Sequence, residues 1–104
     1  MAQILIEKKH PLGLEQARHA AAQWVNQARE QFGLDCQVIR GEEGDEVRFA
    51  RSGLTGTLWV DGQQFRMQAQ LGFLMSAFKD RIESEIRKNL DALINSHPRG
   101  DATP

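Results

Sequence analysis

The sequence has little of several features that mark particular classes of protein. It contains one cysteine, Cys36, which excludes an internal disulfide and fits a reducing cytoplasm. Its formal net charge is -1, which argues against nonspecific electrostatic binding to nucleic acid. No apolar run approaches the roughly 20 residues of a transmembrane segment, and residues 1–9 lack the apolar core of a signal peptide. We therefore expect a cytoplasmic protein with no transmembrane segment and no nucleic-acid partner.

Residues that hold metals or perform catalysis are few and scattered. The histidines fall at a strand end, in a helix and in the tail: His10, His19 and His97. None of them lies at ligand spacing from another histidine or the cysteine. The candidate nucleophiles Cys36, Ser52 and Ser76 have no flanking motif that would supply a base and an orienting group. The sequence therefore predicts no metal, no cofactor and no catalytic site, and an enzyme is the least favoured class.

A change of apolar period divides the C-terminal half of the chain. Between Phe65 and Leu71 apolar and polar residues alternate, which predicts a strand with one wet face. Beyond Gly72 the apolar residues recur at a spacing of about four, which predicts a long C-terminal helix with one apolar stripe. That stripe consists of Leu74, Phe78, Ile82, Ile86, Leu90 and Ile94. Spaced charges predict the surface ion pairs Lys79–Glu83, Arg81–Glu85 and Glu83–Arg87.

The preceding residues predict a helix between short strands. A strand at residues 4–6 is followed by a helix at residues 14–32, which Gly33 caps. Strands are predicted at residues 34–40, around residues 47–49 and at residues 57–60. Residues 41–45 form a charged turn, and residues 51–56 form a connection in which Gly53 and Gly56 serve as turn residues. An Asp61-Gly62 hairpin signal precedes the last strand.

These elements indicate an α+β fold with the order β-α-β-β-β-β-α. The short links between the last four strands predict an antiparallel meander. Each helix has a single apolar stripe, so we expect two helices packed on one face of the antiparallel sheet. We expect the first strand to pair with the fifth. Residues 1–96 are predicted to form a single α+β domain, and residues 97–104 a disordered C-terminal tail.

Two apolar features exceed what a closed core requires. Phe73, Leu74, Met75 and Phe78 crowd the start of the last helix, and Trp59 falls on the polar face of the sheet. We predict that Trp59, Phe73 and Met75 form an apolar contact surface for a partner, another copy of the chain or an apolar phase. The alternative is that Phe73 and Met75 close the end of the core while Trp59 is partly shielded.

Three segments of the chain resemble a known family. They are residues 10–18 (HPLGLEQAR), residues 49–58 (FARSGLTGTL), and residues 71–74 (LGFL) with residues 79–86 (KDRIESEI). In their order and spacing they resemble the small polyhydroxyalkanoic acid (PHA) system proteins, over about residues 4–93. The acidic turn near Glu42 and the tail after Ile94 depart from the family pattern. The resemblance implies a bacterial cytoplasmic protein linked to PHA storage granules.

The sequence and the family resemblance leave two alternative functions from different classes. The first is a non-enzymatic accessory or binding protein of PHA granule metabolism, whose partner is the PHA granule surface, a granule-associated protein or a second copy in a homo-oligomer. The second is a small apolar-ligand or lipid carrier, since a sheet that grips a long C-terminal helix is similar to a reduced helix-grip fold. A cavity between the sheet and Leu74, Phe78 and Ile82 would favour the carrier, and a filled core would count against it.

Overall fold

The computed structural model describes residues 2–96 of the chain. Its elements are β1 (Ala2–Lys9), α1 (Gly13–Phe32), β2 (Asp35–Arg40), β3 (Gly44–Arg51), β4 (Leu54–Asp61), β5 (Gln64–Leu71) and α2 (Lys79–Ser96). A short 3₁₀ helix, Met75–Phe78, joins β5 to α2. The order β-α-β-β-β-β-α is confirmed, including the long C-terminal helix. The predicted tail, residues 97–104, lies outside the described residues.

The five strands form one sheet in the order β1-β5-β4-β3-β2. All four neighbouring pairs are antiparallel, so the predicted meander is confirmed. The first strand pairs with the fifth along its whole length, from Ala2 opposite Leu71 to Lys9 opposite Gln64. The connection through α1 therefore carries the chain from one edge of the sheet to the other.

Both helices cover the same face of the sheet. α1 buries an alanine-rich stripe together with Trp24 and Val25, and α2 buries Leu90 and Leu93. These residues join one buried cluster with the inward side chains of all the strands except β2, such as Ile4 and Phe65. Alanine favours the helix and lets its axis lie close to the strands. The prediction that both helices pack on one face is confirmed.

Ion pairs fasten each helix to the sheet. The Arg18 Nε of α1 lies 3.2 Å from the Asp45 Oδ1 of β3, and the Asp45 side chain is buried. The Lys8 Nζ of β1 lies 3.2 Å from the Asp91 Oδ1 of α2. Asp45 was expected in a charged turn, but it lies within β3 on the helix side, where burial calls for a charged partner.

The β3–β4 hairpin is tighter than the sequence predicts. Gly53 occupies its turn with φ 84°, a conformation that favours glycine, but β4 already begins at Leu54. The interpretation of Gly56 as a turn residue is wrong, because it lies inside β4 opposite Phe49. A Cβ at Gly56 would lie 2.5 Å from the Gln68 carbonyl oxygen and 2.5 Å from the Phe49 ring. Gly56 is therefore required for close packing of an aromatic ring over the strand.

The apolar stripe of the last helix is unevenly buried. Leu90 is 1% exposed, whereas Leu74 and Phe78 are 80% and 55% exposed. Ile82 and Ile86 are partly buried against the core. The first turns of α2 face a cleft rather than a packed layer. The regular apolar spacing therefore predicts more burial at the N-terminal end of α2 than the structure shows.

Matched leucine substitutions test this gradient. Leu90→Ala should lower the free energy of unfolding by about 2–5 kcal/mol, because it removes a fully buried side chain. Leu74→Ala should change it by no more than about 0.5 kcal/mol, as is usual at exposed positions. The measurement is the urea midpoint at unchanged slope. Equal losses for the two variants would contradict the exposure of the 3₁₀ segment.

Candidate functional site

An apolar cleft of about 520 Å³ opens between the two helices. The C-terminal half of α1 forms one wall, the first half of α2 the other, and the ends of β3 and β4 form the floor. Its apolar lining includes Trp24, Phe49, Leu54, Met75, Ile82 and Ile86. Trp24 meets Phe49 edge to face, with 5.2 Å between ring centroids. The volume falls within the range of about 300–1,000 Å³ that is usual for small-molecule sites.

Five polar side chains interrupt this lining: Gln27, Arg51, Arg81, Glu85 and Asn89. Arg51 is already engaged, because its Nη1 donates to the Phe32 carbonyl oxygen over 2.7 Å at the end of α1. Arg81 forms no ion pair or side-chain hydrogen bond within residues 2–96. The cleft therefore combines apolar walls with an uncommitted guanidinium at its rim.

The predicted ion pairs on α2 form only in part. Arg87 Nε lies 3.4 Å from Glu83 Oε2, which confirms one pair. The predicted pairs Arg81–Glu85 and Lys79–Glu83 are not among the ion pairs of the described chain. Arg81 and Glu85 both line the cleft instead. Helical spacing permits such pairs, but the neighbouring surface decides which of them form.

An apolar patch lies beside the cleft and consists of Phe73, Leu74 and Phe78. These side chains are 86%, 80% and 55% exposed. Hydrogen bonds hold the segment that carries them, since the Gly72 N–H donates to the Gly53 carbonyl oxygen over 2.8 Å. The Ser76 hydroxyl donates to the Gly72 carbonyl oxygen over 2.8 Å. The patch therefore lies on a hydrogen-bonded segment between β5 and α2. Phe78 belongs to both the patch and the cleft.

The structure does not bring the three predicted contact residues together. Phe73 is exposed in the patch, whereas Met75 packs against the buried cluster and lines the cleft. Trp59 lies on the opposite, open face of the sheet, 36% exposed, with the Arg66 Cζ 5.7 Å from its ring centroid. Trp59, Phe73 and Met75 therefore do not lie together on one surface of the described chain.

Sequence reasoning missed the exposure of Leu74 and Phe78. Both fall on the apolar stripe of the last helix, and the predicted contact surface includes neither of them. The available signal was the density of apolar residues at positions 73, 74, 75 and 78, which is too great for one helix face.

His10 is buried but is committed to the backbone. Its Nδ1 accepts a hydrogen bond from the Leu12 N–H over 3.1 Å, and its Nε2 donates to the Asp61 carbonyl oxygen over 3.1 Å. The ring packs on Phe65 with 4.6 Å between centroids. Burial lowers the pKa of His10, which favours the neutral ring that this pattern requires. His10 joins the β1–α1 link to the β4–β5 hairpin, and neither ring nitrogen is left for catalysis.

Within residues 2–96, the cysteine and the metal-ligating side chains do not form a site. Burial raises the pKa of the Cys36 thiol, which disfavours the reactive thiolate. Residues 2–96 contain no group of three or more His, Cys, Asp or Glu side chains that could hold a metal ion. No helix in this part of the chain is long and apolar enough to cross a membrane. The cleft and the patch are therefore the strongest candidates for function.

Comparison with known proteins identifies the family. A profile of the family described as "Putative polyhydroxyalkanoic acid system protein" matches residues 4–94. The chain belongs to this family. The matched residues include nearly all of the sheet, both helices, the cleft and the patch, and membership fits a PHA-related role. No curated protein matches the chain.

The buried His10 ring makes stability depend on pH. The folded state keeps the ring neutral, while the unfolded chain binds a proton near the ordinary pKa of 6.5. The contribution of His10 is therefore present above that pH and is lost as the pH falls through it towards the lower pKa of the folded state. Wild type should lose free energy of unfolding below about pH 6.5.

Comparison of two histidine variants isolates this effect. Urea unfolding of His10→Gln should depend less on pH across this window than wild type, whereas the exposed-site variant His19→Gln should follow wild type. Identical pH dependence of wild type and His10→Gln would show that His10 is not held neutral.

Proposed function

We propose that this protein is a non-enzymatic accessory protein of PHA granule metabolism that binds the granule surface through its apolar patch. Family membership supplies the connection to PHA. The observation that carries the proposal is the exposure of Phe73, Leu74 and Phe78 on one hydrogen-bonded segment. Large apolar side chains grouped on a surface are typical of contact with a partner or an apolar phase.

The size of the patch fits weak, reversible adsorption. Removing on the order of 300 Å² of apolar surface from water contributes about 7.5 kcal/mol at about 25 cal/mol per Å². Lost translational and rotational freedom offsets part of this gain. A protein held in this way exchanges between granule and solution, as an accessory factor would.

Apolar contact rather than charge is the proposed attraction. The net charge of -1 provides no strong long-range field, and salt screens the exposed charges over about 10 Å at 0.1 M ionic strength. Binding should therefore withstand added salt. The proposed location is the bacterial cytoplasm, at the granule surface.

The non-enzymatic assignment is supported by the state of the reactive groups. Both ring nitrogens of His10 are bonded to the backbone, and burial raises the pKa of the Cys36 thiol. Neither residue lines the cleft. The cleft instead presents apolar walls and an arginine, a combination suited to binding.

Granule sedimentation tests the surface proposal. Wild type should co-sediment with isolated granules and stay bound as salt is raised. The double variant Phe73→Ser/Leu74→Ser should lose most of this binding, because both side chains are exposed in the patch. Leu5→Ser is the matched control, since Leu5 is 63% exposed on the opposite face of the sheet and its loss should leave binding unchanged.

The folding control is urea unfolding of each variant. Release of wild type by moderate salt would indicate electrostatic binding, and undiminished sedimentation of the double variant would remove the patch from the contact. Failure of wild type to sediment would favour a soluble partner. Analytical ultracentrifugation of the purified protein would then show whether that partner is a second copy of this chain.

A carrier of small apolar ligands is the second candidate function, and the cleft favours it. Phe78 and Ile82 line the space as the carrier hypothesis expects, although Leu74 does not. The core beneath the cleft is filled by Leu90 and its neighbours, so a ligand would lie at one end of the helix layer. Patch and cleft share Phe78, and the two functions are compatible.

A further inference from the structure

We propose that the cleft between α1 and α2 binds a free hydroxyalkanoic acid, with its alkyl chain in the apolar interior and its carboxylate on Arg81. The inference rests on the proposed function for its link to PHA, since hydroxyalkanoic acids are the monomers of that polymer. The ligand class itself follows from the chemistry of the lining.

The interior of the cleft fits an alkyl chain. Trp24, Phe49, Leu54 and Ile86 supply aromatic and aliphatic surfaces on opposite sides of the space. The volume of about 520 Å³ exceeds what a single water-sized void would provide and suits a small organic ligand. The transfer of an alkyl chain from water to these apolar walls is favourable, and the free energy gained increases with each methylene that enters.

The rim supplies a cationic group for a carboxylate. Arg81 has no ion-pair partner in the described chain, whereas Arg51 already donates to a backbone carbonyl. A guanidinium presents parallel N–H donors that match the two oxygens of a carboxylate. A free acid satisfies this group, but an internal ester of the polymer carries no such charge.

A hydroxyl completes the match with the remaining polar residues. Glu85 lies one helical turn beyond Arg81 on the cleft side of α2, and its carboxylate accepts hydrogen bonds only. It repels a second carboxylate and accepts from a hydroxyl. Gln27 and Asn89, from opposite walls, also line the space and can donate or accept. An acid that bears a hydroxyl near its carboxylate therefore fits better than a plain fatty acid.

The two tryptophans make binding directly observable. Trp24 lines the cleft and Trp59 lies on the open face of the sheet, and the chain has no others. Trp59→Phe therefore leaves one fluorophore, which reports on the cleft. Titration calorimetry provides a second readout that does not depend on fluorescence.

The probes are β-hydroxyalkanoates of increasing chain length, from hydroxybutanoate to hydroxydecanoate. Affinity should rise about fourfold for each methylene until the cleft is filled. The methyl ester of the best acid should bind about fivefold more weakly, because its head carries no charge. The same acid without its hydroxyl should also bind more weakly. Equal affinity across the chain lengths, or no binding of any acid, would overturn the proposal.

Paired arginine variants test the head-group assignment. Arg81→Gln should weaken binding of the acid about fivefold and leave binding of the methyl ester unchanged. Arg87→Gln is the matched control, because Arg87 pairs with Glu83 and does not line the cleft. Equal effects of the two variants on the acid would overturn the contact with Arg81. Equal affinity for the acid with and without its hydroxyl would overturn the hydroxyl contact.

The granule assay separates this proposal from the surface proposal. Arg81→Gln should sediment with granules as wild type does, because Arg81 lies outside the patch. If wild type sediments but no acid binds, the cleft proposal is wrong and the surface proposal stands. If the acids bind with the expected chain-length dependence but wild type never sediments, granule adsorption is wrong and the ligand site stands.

Discussion

The fold depends on one constraint, which is that a five-stranded sheet with a single apolar face must be covered by two helices. Side chains alternate between the two faces along each strand, and this alternation puts the apolar residues of β1, β3, β4 and β5 on one side. Within residues 2–96, α1 and α2 are the long helices that exclude water from that side. One ion pair joins α1 to β3 and another joins α2 to β1.

Two helices do not cover this face evenly. α2 buries Leu90 and Leu93, while its first half and the 3₁₀ helix stand beside the cleft. The layer is therefore closed at one end and open at the other. The exposed patch follows from the same mismatch, because no element of residues 2–96 covers Phe73 and Leu74. Cleft and patch are two results of one packing geometry.

The β3–β4 hairpin sets the floor of the open end. Gly56 lets the Phe49 ring lie against β4, and Phe49 in turn packs edge to face on Trp24 of α1. At the hairpin turn, the Gly53 carbonyl oxygen accepts from the Gly72 N–H. The backbone that carries the patch is thus tied to the floor of the cleft. A compact set of glycine and aromatic contacts organises the region that carries the proposed functions.

Local sequence determined the element order, the antiparallel meander, the capping of α1 by Gly33 and the family, because these follow from alternation, helical period, turn residues and motif spacing. Tertiary structure alone decided how deeply each residue is buried. The stripe from Leu74 to Ile94 has one period throughout, yet burial rises from the exposed Leu74 and Phe78 to the fully buried Leu90. The alternation of β4 placed Trp59 on the open face, but only the assembled structure separates it from Met75. The β3–β4 register made Gly56 a packing residue rather than a turn residue, since it places Gly56 opposite Phe49, and turn signals in the sequence do not specify that register. The cleft arises where elements far apart in the chain fail to meet, and a single sequence carries no periodic signal for a space between them.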